Sequence, residues 1–528
     1  MSVERLLWEE DAVGLAGLVR AGELDPRDLV EAAIARAEAV NPEINAIAER
    51  LYEAARERAG RVDRLAPLAG VPFAIKDLGI AQKGVATHGG SRVPAFVPDF
   101  DSVLVERYLA AGLIPIATST APEYGIRLMT ESKAFGITRN PWNTGHTSGG
   151  SSGGAAALVA AGVVPAAHAS DGGGSIRVPA ATTGLVGMKT SRGRVPLTPL
   201  VSEGWYGAIV DHAVTRSVRD SAALLDLTHG VDELAPYAAR PPKGTFAAAA
   251  AREPGKLSLA FYRGSPLGLS ISDETLAALD AAVALAREAG HTVEEIGLPM
   301  IDRAFMADFC RAVASGIAGL VRQEEARLGR PVAPVLERST RVVARLGEVL
   351  SAGEVYAALE RLAAAARRLL AETARYDAVL MPLVAHPPLP VGAMDARGAD
   401  EMLENALDRL RLTRLLKYDR FLGEMMDKSL WFTHWPAIQN VTGQPSVAMP
   451  VHVTAQGLPL GIQAAGRPGD EETLFSLAGQ MERLSGWTRR RAPFHVPSPS
   501  PSPSPSPTAV PAEEHAEARP RRRRKPAK

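Results

Sequence analysis

Cysteine is nearly absent: Cys310 is the single one in 528 residues. It has no partner for an internal disulfide, which excludes a disulfide scaffold and fits a reducing compartment. The same scarcity removes every zinc or iron–sulfur site built on cysteine, and no metal or cofactor is expected. Net charge is missing too, with 59 Lys and Arg against 59 Asp and Glu. That balance argues against a whole-body nucleic-acid binder. It is unevenly spread, however: residues 513–528 hold seven basic and three acidic residues, a net +4 that leaves −4 for the remainder. Long hydrophobic runs are also lacking. The most apolar stretch, Gly154 to Ala167, has 14 residues, whereas a bilayer-spanning helix needs about 20. It reads as a buried helix followed by a strand. The N-terminus, MSVERLLWEEDAVGLAG, carries charges where a signal peptide has its apolar stretch. Secretion by that route is therefore not expected, and a soluble cytoplasmic protein is.

The first 60 residues read as helices. Asp25-Pro26-Arg27-Asp28 supplies an Asp cap, a proline at the first helical position and an acid at the third, a strong start signal. Leu29, Ala33, Ala37 and Val40 then recur at helical spacing up to Asn41-Pro42. From about residue 68 short apolar runs alternate with helical ones. VPFAIKD (71–77) and LIPIATS (113–119) read as strands, and a helix-to-strand step falls at Gly162 to Ala167. This alternation predicts an α/β core around a mixed sheet. Residues 240–430 hold Ala/Leu/Glu/Arg helical runs at 265–290, 318–330 and 354–375, then a buried strand in YDAVLMPLVAHPPLP (376–390). Strand texture returns between 440 and 466, followed by a helix over about 470–484 that ends near Ser485-Gly486. Beyond 495, PSPSPSPSPSPT and a basic tip cannot form a core, so 496–528 is expected to be a disordered tail.

The unusual stretch is GHTSGGSSGGAAALVAAGVVPAAHASDGGGSIR, residues 145–177. Two clusters of small residues, 149–154 and 172–175, lie one helix and one strand apart. Such glycines mark tight turns or close approaches. A phosphate cradle fails because no GxxxxGK[ST] pattern is present. Acyl transfer fits better. The amides of Gly172, Gly173, Gly174 and Ser175 can turn toward one point, as a developing oxyanion requires. No GxSxG elbow surrounds either serine cluster, which disfavours an α/β-hydrolase triad. His168 precedes the second cluster and reads as a satisfied histidine. A lysine can act as the base if burial makes it neutral, and Lys76, at the end of VPFAI, is the candidate.

FAIKD around Lys76, GGSSGG at 149–154 and SDGGGSIRVPA at 170–180 resemble the amidase signature family. The likeness continues through GLVGMKTSRGRVP (184–196), RSVRDSAALLD (216–226), YDAVLMP, NVTGQPSVAMP and GLPLGIQAAGRPGDEETL (457–474). It covers roughly 1–495 and is weakest across 240–430. The separations of 75 residues from Lys76 to Ser151 and 24 from Ser151 to Ser175 agree with it. The resemblance implies a Ser–Ser–Lys hydrolase of amides: Ser175 as nucleophile, Ser151 as bridging serine on a cis peptide bond, Lys76 as base. It implies an Asp171–Arg177 pair bracing the oxyanion loop of Gly172, Gly173 and Gly174, and Ser152 ordering the neighbouring turn. Family members often carry threonine where Ser170 and Gly172 stand. The implied fold is a central mixed β-sheet flanked by helices on both faces. Its catalytic domain would span 1–495, with core segments 60–240 and 430–495 around a divergent substrate-specificity region at 240–430.

Trp205, Tyr206, Cys310, Trp431 and Trp435 are candidates for the substrate pocket. The SDGGGSIR form together with EGWYG is similar to the branch that hydrolyses cyclic and linear 6-aminohexanoate oligomers and related aliphatic amides. The expected partner is a small-molecule amide, and a homodimer is compatible with the resemblance. The basic tail could attract polyanions weakly, without a folded recognition surface. Two rivals stand beside this reading. One is the A subunit of a glutamyl-tRNA amidotransferase, disfavoured because GTDTGGSIRQPA is absent; the other is an inactive amidase-fold scaffold, disfavoured by intact Lys76, Ser151 and Ser175.

Overall fold

Asp25 accepts a hydrogen bond from the Arg27 amide and starts the helix Pro26–Ile44. That helix runs past Asn41-Pro42, where the sequence suggested a stop. Pro42 lies in the last turn, where its missing N–H removes one intrahelical hydrogen bond, and left-handed Asn45 closes the end. Asn41 Oδ1 takes the amides of Ala46 and Ile47, turning the chain into an edge strand that the helical pattern did not reveal. The computed structural model describes residues 1–297, 301–395 and 412–494. The tail expected at 496–528 lies outside the described residues.

Eleven strands form one mixed sheet. In chain order its N-terminal part comprises β1 (Ile47–Arg50), β2 (Pro72–Lys76) and β3 (Ile114–Ser119). Four short strands follow outside it: β4 (Glu131–Ser132), β5 (Gly136–Ile137), β6 (Arg139–Asn140) and β7 (Asn143–Thr147). The main sheet resumes with β8 (Ala166–Asp171), β9 (Val186–Lys189), β10 (Val210–Thr215) and β11 (Ser258–Phe261). It ends with β12 (Thr292–Glu295), β13 (Ala378–Pro382), β14 (Ser446–Val453) and β15 (Pro459–Gly466). The strand order is β1-β3-β2-β8-β10-β9-β14-β15-β13-β11-β12. β2 runs parallel to β3 and β8, while β8, β10, β9, β14 and β15 pair antiparallel in succession. The 240–430 stretch thus contributes β11, β12 and β13 to the same sheet. β2, β3, β8, β10 and β13 are buried at every position. This explains the apolar texture without alternation of β2, β3 and β13, as expected where helices flank a sheet.

One described helix, Arg303–Leu328, is long and apolar enough to cross a membrane, and 56% of its most apolar window is buried within the protein. It packs against the helices Arg338–Val349 and Ala352–Thr373. Phe305, Met306, Phe309 and Ala312 enter one apolar cluster, while Ile317 and Val321 enter another. Its hydropathy is thereby accounted for by helix packing.

Candidate active site

The carboxyl ends of the parallel neighbours β2 and β8 deliver Lys76 and Asp171 to the same edge of the sheet. Lys76 is 1% exposed. Its Nζ lies 2.8 Å from Ser151 Oγ and 2.9 Å from Ser170 Oγ. Burial pulls the ammonium down to about 7, against Asp211 and Asp171, which favour the charged form. A buried amine with two hydroxyl partners and no carboxylate in contact can exist neutral near pH 7.

Ser151 follows a cis peptide bond from Gly150. Thr130 Oγ1 donates to Gly149 O and accepts from Gly153 N, clamping this turn from outside. Ser152 Oγ donates to Ser170 O and accepts from Ser170 N, both at 3.3 Å. The Ser152 amide donates to Ser175 O at 3.2 Å. The two small-residue clusters are thereby stitched together through Ser152. Ser175 is 5% exposed, and Gly125, beside the turn, allows close approach to Ser151 Oγ and Leu78.

Asp171 and Arg177 are both fully buried. Arg177 Nε donates to Asp171 Oδ2 at 2.9 Å and Nη2 to Oδ1 at 3.0 Å, a bidentate pair. Burial works against the Asp171 carboxylate, yet the guanidinium outweighs it and holds the group well below the usual carboxylate range. Arg177 also donates to Gln463 Oε1, Asn440 Oδ1 and Pro436 O at 2.7–2.8 Å. Asn440 Nδ2 returns to Asp171 O at 2.9 Å. The sequence anticipated the pair but not Gln463 or Asn440; the segments NVTGQP and GIQAAG that carry them were the available signal.

One expectation is corrected here. The Gly174 amide donates to Asp171 Oδ1 at 2.7 Å, so it is withdrawn from the converging donors, and those of Gly172, Gly173 and Ser175 remain. Gly174 has φ +124° and lies against Pro436, which explains why glycine is required there.

The aromatic candidates separate. Trp205 packs on Gly172, where a Cβ would come within 2.9 Å of the indole, and on Gly316, where it would come within 2.7 Å. Trp205 and Tyr206 both have left-handed φ, 47° and 56°, and Tyr206 Oη bonds Ser315 Oγ at 2.6 Å. Phe309, which the sequence did not single out, approaches Gly173. Cys310 follows it on the helix, and burial pushes its thiol up to about 12. Trp431 lies edge-on to His386 at 5.2 Å. Trp435 is a correction: it is fully buried, with Nε1 donating to Gly264 O at 2.9 Å, and it packs with Tyr262, Tyr376 and Met381. Its flat apolar bulk serves the core.

The chain is similar over most of its length to known amidases. The family model described as Amidase matches residues 28–475. A 6-aminohexanoate-cyclic-dimer hydrolase from Pseudomonas sp. (strain NK87) is 35% identical over 512 residues, covering 93% of this chain and 98% of its own. The structure of 6-aminohexanoate cyclic dimer hydrolase complexed with substrate superposes with a TM-score of 0.85 at 31% identity, covering 92% of this chain and 99% of that one. A bacterial aryl acylamidase of the amidase signature family superposes with a TM-score of 0.81 at 25% identity, covering 93% and 100%. The chain belongs to the amidase signature family and is an amidase, a hydrolase of carbon–nitrogen bonds.

Proposed function

We propose that the protein hydrolyses small aliphatic, cyclic or linear amides through an acyl-enzyme on Ser175. The observation that carries this reading is the 2.8 Å contact of the buried Lys76 amine with Ser151 Oγ. With Ser170 Oγ accepting one N–H, the lone pair of the neutral amine is left for the Ser151 proton. Ser151 in turn takes the proton of Ser175, whose Oγ bonds to the substrate carbonyl carbon. The oxygen that gains charge is stabilised by the amides of Gly172, Gly173 and Ser175, each donor of this kind contributing about 3 kcal/mol. The C–N bond then breaks as Ser151 returns the proton to the leaving nitrogen. Water repeats the sequence on the ester and frees Ser175. Ser152 holds the two turns in register, and the Asp171–Arg177 pair braces the loop.

The relatives named above act on cyclic dimers and aryl acylamides, and Trp205 and Phe309 place apolar rings against Gly172 and Gly173 of the turn that carries Ser175. The purified full chain is expected to hydrolyse a cyclic or short linear aliphatic amide without a partner protein. A panel of aliphatic amides, aryl acylamides, cyclic diamides and peptide amides tests this, and activity appearing only with an added subunit would overturn it. Because the neutral amine is the active form, kcat/KM should rise with pH through an acid limb near the Lys76 value of about 7.

Trp205 is proposed to limit substrate size. Its left-handed backbone costs about 1–2 kcal/mol, offset by the indole filling the gap between Gly172 and Gly316. Gly316→Ala would push the ring toward the turn while leaving residues 172–175 intact. The expected result is lower kcat/KM for bulky substrates relative to small ones by about tenfold, the scale of a methylene-sized misfit. Trp205→Ala should move the ratio the other way. Cys310 and Trp431 complete the proposed surroundings. The catalytic domain is assigned to 1–495, so truncation after residue 495 should leave kcat/KM unchanged.

A further inference from the structure

We infer that Asp211, opposite Ser170 on the neighbouring strand, is a positioning residue that favours the charged form of the Lys76 amine from behind the site. The inference deepens the proposed function and rests on its reading of Lys76 as the base. Antiparallel pairing sets Asp211 of β10 directly opposite Ser170 of β8. Residues so opposed carry their side chains to one face, with Cβ atoms about 4.5–5.5 Å apart. Ser170 Oγ is the atom that meets Lys76 Nζ, so the carboxylate shares a face with the amine.

His168, two residues before Ser170, projects to that face as well. It is fully buried, and its Nδ1 accepts the Lys76 backbone N–H at 3.3 Å. Acceptance at Nδ1 fixes the neutral tautomer with its hydrogen on Nε2. Nε2 lies 3.6 Å from Asp211 Oδ2. Asp211 is 2% exposed, and among the described residues no arginine or lysine forms an ion pair with it. Asp171 differs in this respect, because its charge is matched by Arg177.

The surroundings leave Asp211 without an arginine or lysine ion pair among the described residues. From β8, Lys76 meets His168, Ser170 and the paired Asp171; from the neighbouring turn it meets Ser151; from β3 its register partner is Ser119. Asp77, next in the chain, directs its carboxylate to the amides of His88 and Gly90. Tyr108, from the helix Val103–Ala110, also faces Asp211 and is kept protonated by burial and by that charge. Of the two carboxylates that act on Lys76, Asp211 acts the more strongly. Burial favours the neutral amine and so weakens its basicity. A negative charge behind it restores basicity while leaving it neutral at working pH.

The test is the pH dependence of kcat/KM for the full chain, read beside the ionisation of Lys76 itself by 13C resonance of its labelled Cε. Asp211→Asn is expected to lower both the acid limb and the Lys76 titration by about 1 unit, the scale on which a nearby opposite charge acts. Below the limb the variant would then keep about ten times more of its own plateau activity. Asp211→Glu should restore both. An unchanged Lys76 resonance in a folded Asp211→Asn protein would overturn the inference, whatever happens to the rate. A resonance that moves while the limb stays fixed would instead support the inference and remove Lys76 as the base. Asp211→Ser carries the same expectation and serves if the asparagine variant folds poorly.

Discussion

Ser175→Ala is expected to abolish amide hydrolysis, with a fall in kcat on the order of 10⁶-fold, as in other serine hydrolases stripped of the attacking hydroxyl. Covalent labelling by a serine-directed fluorophosphonate should disappear in the same variant. The two readouts check each other, because labelling requires the nucleophile but not turnover. The 172–175 turn should survive the change: its anchors are the Asp171 carboxylate and backbone groups, and the serine hydroxyl is not among them. The thermal midpoint should therefore stay near that of the parent, so loss of activity cannot be assigned to unfolding. Undiminished turnover in the alanine variant would sink the mechanism.

Arg177→Met is expected to be the most damaging change to stability, by about 3–5 kcal/mol, the cost of leaving a buried charge without its partner. Arg177 is wholly buried and contacts the Asp171 carboxylate, Pro436 O, Asn440 and Gln463. Its loss removes a donor from each of these at once. The pH dependence gives the signature. In the parent, the Asp171 carboxylate is held low by Arg177, so its contribution is present at neutral pH and is lost as pH falls below the usual carboxylate range. Without Arg177, burial raises that carboxyl instead, and protonation relieves the penalty. Equilibrium denaturation should thus show a smaller difference between variant and parent at pH 5 than at pH 8. A difference below about 1 kcal/mol at pH 8 would show that the pair braces nothing.

Local pattern was sufficient for much of the sheet. VPFAIKD and LIPIATS became β2 and β3, and the helix Glu471–Ser485 ends at left-handed Gly486. Lys76 and Ser151 were legible because their motif strings are contiguous and their chemistry unusual. What was not legible depends on contacts between distant segments. β1 hides in a helical neighbourhood because four residues at a sheet edge carry no periodic signal. The bond from the Gly174 amide to the Asp171 carboxylate is set by how the turn folds, which no local pattern encodes. Trp205 and Trp435 look equivalent in sequence, yet one covers a glycine beside Ser175 and the other fills the core. Phe309 lies within an ordinary amphipathic helix, where nothing marks it as a neighbour of Gly173.

The anchoring of the turn also ties chemistry to the order of synthesis. Lys76, Ser151 and Ser175 all emerge in the first third of the chain, but Asn440 and Gln463, which hold Arg177, emerge near its end. β9 likewise finds its outer neighbour only when β14 arrives. A growing polypeptide halted before residue 463 therefore possesses all three reactive groups without the frame that aligns them. Hydrolytic power is thus expected only once Asn440 and Gln463 are in place, and chains that end before them should be inert toward amides.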